Sequence, residues 1–102
     1  MLVAAAYSPG DAVELTFDRA IDASGVVGSA IVVDDGGDTG YRFVSNGASS
    51  MLDPQTVRLE LVGVEPTSST TTTLDASAGN GIVAVDDGGA WNGVSGLPLP
   101  FP

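Results

Sequence analysis

The chain contains no cysteine, no histidine and no lysine. Without cysteine it can form no disulfide, no thiolate metal site and no thiol nucleophile. The missing histidine removes the commonest general base near neutral pH, the usual zinc and copper ligand, and any Ser-His-Asp triad. Positive charge is scarce: Arg19, Arg42 and Arg58 stand against 13 carboxylates, for a formal charge of −10. Such a surface repels a phosphate backbone, so nucleic acid is not an expected partner. No segment approaches the roughly 18 to 20 consecutive apolar residues of a membrane span. The opening "MLVAAAYSPGD" lacks the basic start and long apolar run of a signal peptide, so any targeting signal is expected to lie outside these residues.

What is present is the material of a small core. At 102 residues, with 43% hydrophobic and 16% charged residues, the chain is too apolar to be disordered and too short for two independent cores. The residues 1–102 therefore read as a single domain. Alternation is clearest in "AVELTFDRAI", which places Val13, Leu15 and Phe17 on one face and Glu14, Thr16 and Asp18 on the other. The segment "TVRLELVGV" repeats it, with Val57, Leu59 and Leu61 inward and Arg58 and Glu60 outward. Shorter strands are expected in "LVAAAY", "SAIVV", "GYRFVS", "STTTTLDA" and "GIVAV", punctuated by "SPGD", "SNGASS", "LDPQ", "VEPTSS" and "SAGNG". Helical character is confined to "DRAIDASGVVGSA", where a single turn is the most that Gly and β-branched residues permit. In the tail "GLPLPFP", residues 97–102, the alternate prolines cannot donate ladder hydrogen bonds. The tail fits an edge strand with Leu97, Leu99 and Phe101 inward, or a linker.

Several short strands at near-regular spacing suggest a sandwich or barrel. The order "LVAAAY…DAVELTFDRAID…SAIVVDDG…DPQTVRLELVG…TTTTLDASAGNGIVAVDDGGAWNG" resembles the bacterial immunoglobulin-like modules of repetitive surface and secreted proteins, similar to modules on phage tails and capsids. The resemblance lies in an "LTF" strand followed by an acidic, small-residue turn, and in a "D…GN" segment before the last strand. It departs from that pattern in the added Gly88, Gly89 and Trp91. The resemblance implies an all-β, immunoglobulin-like Greek-key β-sandwich of about seven strands. It also implies a non-catalytic spacer, stalk or adhesive module of a larger cell-surface, secreted or virion protein, whose partners are neighbouring domains of that protein.

The motif "VDDGG" occurs twice, at Val33–Gly37 and Val85–Gly89. Each copy follows a β-branched run, and Asp-Gly and Gly-Gly supply the positive φ angles of tight turns, so the plain reading is two turns. A second reading is a calcium site, because Asp34, Asp35 and Asp38 in one loop and Asp86 and Asp87 in the other offer hard oxygens. Neither copy has the ligand spacing of an EF-hand or a calcium-binding β-roll. A third reading, duplication, meets divergent flanks, "TGYRFVS" against "AWNGVSG". Calcium is thus the one cofactor the sequence suggests. Trp91 either plugs the end of the sandwich or stacks on a sugar in a glycan-binding module, with protein as the other candidate ligand. Carboxylate pairs such as Asp18 with Asp22 lack the loops that build a glycosidase cleft, and no enzyme is expected.

Overall fold

The computed structural model describes residues 2–8, 12–34, 41–62 and 72–99. The described strands are β1 (Leu2–Ser8), β2 (Ala12–Phe17), β3 (Ile21–Asp22), β4 (Ile31–Asp34), β5 (Tyr41–Asp53), β6 (Thr56–Val62), β7 (Thr73–Ala76), β8 (Val83–Ala84) and β9 (Val94–Pro98). The one helical element among them is a 3₁₀ turn at Gly28–Ala30, within the segment where a single turn was expected. The fold is all-β.

A seven-stranded antiparallel sheet runs in the order β1-β2-β6-β5-β4-β7-β9, and β3 pairs with β8 in a separate two-stranded sheet. Register follows the hydrophobic pattern. Leu15 lies opposite Val57 and Val13 opposite Leu59, while across the other half Val33 faces Leu74 and Ile31 faces Ala76. All eight are buried. Slipping either pair of strands by one residue would turn these side chains to solvent, so burial fixes the register.

The buried residues of β2 and β6 and those of β4 and β7 belong to one hydrophobic cluster. They can meet only because the sheet turns back on itself along β5, which pairs with both β6 and β4. The register of β5 shifts between Val44 and Ser49, as a bulge that bends a strand requires. Antiparallel layers thus face one another in a compact globule, with Cα extents of 39 × 23 × 21 Å.

Three sequence expectations need correction. "SNGASS" reads as punctuation but lies within the 13-residue β5, where the register shift absorbs it. "GIVAV" shortens to the two residues of β8 because the backbone groups on either side are engaged elsewhere. The Ile82 N–H donates to the Asn80 side chain, the Ile82 carbonyl accepts from the Trp91 N–H, and the Val85 N–H donates to Ala20. Ile21–Asp22, in the acidic turn that the resemblance places after the "LTF" strand, forms β3 against β8.

Within the tail, Leu97 and Pro98 complete β9 at the sheet edge, where a missing proline N–H is tolerated, and Leu99 is fully buried with its N–H on the Thr72 carbonyl. Phe101 lies outside the described residues, as do all of "VEPTSS" and the first three residues of "STTTT". No helix among the described residues is long and apolar enough to cross a membrane.

Candidate functional site

The second VDDGG copy is a turn. Val83 bridges to Ala90, the Ala84 N–H donates to the Gly89 carbonyl at 2.9 Å, and the Gly88 N–H returns to Ala84 at 3.0 Å. Gly88 takes φ +71°, the left-handed conformation that glycine adopts without a Cβ penalty. Asp87 closes the turn by accepting the Gly89 N–H at 2.8 Å. In the first copy Val33 and Asp34 end β4, and Asp34 pairs with Tyr41 of β5, so residues 35–40 connect two antiparallel neighbours. Asp35 and Asp38 lie outside the described residues.

Asp86 and Asp87 are exposed, whereas Asp34 is half-buried at the end of β4. The structure does not bring these three together: among the described residues no three carboxylates are grouped closely enough to hold a metal ion. What approaches Asp87 instead is a cation. The Arg19 guanidinium lies 3.1 Å from Asp18 and 3.9 Å from Asp87. The hydrogen bond that Arg19 donates to Asp18, then the charge of Asp18 and that of Asp86, hold the Arg19 guanidinium above its ordinary pKa. Arg58 sits between Glu14, at 3.7 Å, and the Ser8 hydroxyl, at 2.6 Å.

Other carboxylates are committed to the local backbone. Asp22 accepts the Ser24 N–H at 2.8 Å, and that bond, joined by the Ser24 hydroxyl, lowers its pKa from the usual carboxylate value. Asp75 accepts the Gly96 N–H at 2.8 Å and the Ser95 hydroxyl at 3.3 Å, tying β7 to β9. Asp53 caps the β5–β6 turn through the Gln55 N–H.

Trp91 is 3% exposed. Its ring meets Phe17 edge-on, at 5.3 Å between centroids and 83° between planes. That is a plug at the end of the core, and a ring with so little exposed surface has no face on which to stack a sugar. Asn80, fully buried, holds it there. The amide nitrogen of Asn80 donates to the carbonyls of Ser77 (2.7 Å) and Trp91 (2.9 Å), and its oxygen accepts the Ile82 N–H (2.9 Å). Beside it, Gly81 has φ +84° and packs so closely that a Cβ would fall 2.0 Å from the Gly25 carbonyl oxygen. The "GN" segment was legible as a pattern, but nothing in the sequence announced that its asparagine is the tie between the late loop and Trp91.

One cleft stands out, of about 430 Å³. Its walls are the outermost strands, β1 through Leu2–Ala5 and β9 through Val94, Leu97 and Pro98, with Trp91 between them. Sequence reasoning missed it, because hydrophobic alternation marks strands without showing which two become the open edges.

The fold and cleft define a class: an all-β domain of antiparallel layers with a cleft between its two edge strands. No protein-family model, curated protein or solved structure matches the chain.

Proposed function

We propose that this is a non-catalytic structural module, an immunoglobulin-like Greek-key sandwich serving as spacer or adhesive stalk within a larger cell-surface, secreted or virion protein. The observation that carries this reading is the direction of the terminal strands. Every pairing from β1 to β9 is antiparallel, and six pairings separate them, so β1 and β9 point the same way. The polypeptide therefore comes in at one pole of the strands and leaves at the opposite pole. Modules built this way join head to tail and add length, with neighbouring domains as their partners.

The arrangement β1-β2-β6-β5 on one side and β5-β4-β7-β9 on the other supports the immunoglobulin-like topology. The use of Asp22, Asp53, Asp75 and Asp87 as backbone ties supports a structural rather than catalytic use of the acidic residues. The test is a direct tandem of two full chains measured by small-angle X-ray scattering. The maximum dimension should grow by most of the 39 Å long axis relative to the single chain. Two modules folded side by side, with little gain in length, would sink the spacer reading.

A further inference from the structure

The cleft lies between β1 and β9, the two outermost strands of the seven-stranded sheet. Among the described residues β1 pairs only with β2, and β9 only with β7. Natural sheets blunt such edges with charge, proline, bulges or a covering segment. The seven residues of β1, "LVAAAYS", contain neither charge nor proline. In β9, "VSGLP", Pro98 lies at the end and Gly96, at φ +64°, gives its N–H to Asp75; the pairing with β7 shifts register between Leu74 and Ala76, as that of β1 with β2 does between Leu2 and Ala4. Leu2, Ala5, Val94 and Leu97 are partly buried against the core, and Val3 at the rim is 62% exposed. Because β1 and β9 point the same way, one inserted strand could run antiparallel to both, in the more stable of the two pairings.

The charge of the molecule selects the occupant. At −10 the domain repels a second copy of itself and any anionic surface. Among the described residues no charged side chain lines the cleft, and Arg19 is held by Asp18 and Asp87, and Arg58 by Glu14 and Ser8, so the net charge of the domain acts there without a local cation. We propose that the cleft takes an extended, positively charged peptide segment of a partner protein, added as a strand between β1 and β9. Main-chain hydrogen bonds to the two edges would supply affinity, and alternate apolar side chains would fill the cleft. The basic side chains between them would face outward into the negative field of the domain. This binding is independent of the spacer reading: either can fail while the other stands.

The probe is a synthetic peptide of alternating valine and lysine or arginine, about seven residues long, titrated into the full chain. Trp91, the single tryptophan, reports on the floor of the cleft, and amide chemical shifts locate the contact. Saturable binding is expected, with shifts concentrated in residues 2–5 and 90–98. A peptide with glutamate in place of the basic residues should bind at least roughly tenfold more weakly at low salt. A peptide N-methylated at alternate amides should lose binding, since it cannot form the ladder. Val3→Lys, at an exposed site that leaves the core intact, should weaken binding about two- to fivefold without altering the melting curve. Failure of the basic peptide to bind, equal binding of the acidic one, or shifts away from the cleft would overturn the proposal. So would a dimer in sedimentation equilibrium that Val3→Lys dissociates, because the seam would then be an interface between copies.

Discussion

Asn80 shows how much one buried polar side chain can fix. Its three hydrogen bonds satisfy backbone groups of Ile82 and Trp91, which are shielded from water, and of Ser77, which is exposed. Asn80→Ala leaves the Ile82 and Trp91 groups unpaired at about 1–3 kcal/mol each, so a loss of at least about 2 kcal/mol is expected. For a domain of this length that lowers Tm by roughly 8–16 °C. Asn80→Asp should be worse, because it keeps the acceptor for Ile82 but sets a carboxylate oxygen against two carbonyls. Thermal melts followed by near-ultraviolet dichroism of Trp91 test both. Asp22 gives a pH-dependent case. Its folded pKa is lowered by the Ser24 N–H and hydroxyl, so its contribution is present above the unfolded carboxylate pKa and disappears as pH falls through the lowered folded value. Asp22→Ala should therefore be less stable than the parent at pH 7, with the gap closing below about pH 4; a gap that stays constant or widens in acid would show that the carboxylate is not the cause.

At the level of elements, the two VDDGG segments are the place where calcium would act. Asp87 of the second copy accepts the Gly89 N–H and is approached by Arg19, and Asp34 does not join Asp86 and Asp87 in a group that could hold a metal ion. Millimolar calcium is thus expected to stabilise the domain no more than magnesium at equal ionic strength. A site with Kd of about 1 mM would add roughly 1.4 kcal/mol at 10 mM calcium, a shift of several degrees that differential scanning calorimetry resolves. The strands themselves divide by how well the sequence announces them. β2 and β6 were legible because each has water on one face and core on the other, so Glu14 and Thr16, Arg58 and Glu60 keep the alternation clean. β3 and β8 were not. Each is two residues long, and what sets them is the competition of Asn80, Trp91 and Ala20 for nearby backbone groups, which is tertiary information. The same limit hid the cleft: alternation says which face is buried, never which strand is last in the sheet.

The whole molecule carries −10 charge on a Cα radius of gyration of 12.4 Å. Self-repulsion on that scale falls when salt shortens the screening length to about 10 Å at 0.1 M. Tm should therefore rise between low and moderate sodium chloride; a flat or falling trend would mean that net repulsion is not a significant term. The path of the chain has a separate consequence, for how the molecule bears tension. Leu2 begins β1 at one pole, and Leu99 follows β9 at the other. A pull between the ends therefore slides β1 lengthwise along β2 and β9 along β7, rather than peeling either strand away from its tip. In that geometry every rung of a ladder is loaded at once. The six register positions from Leu2–Phe17 to Ser8–Ala12 must then fail together rather than one after another, so the edge strands, thermodynamically the least protected part of the sheet, are the mechanical clamp of the domain.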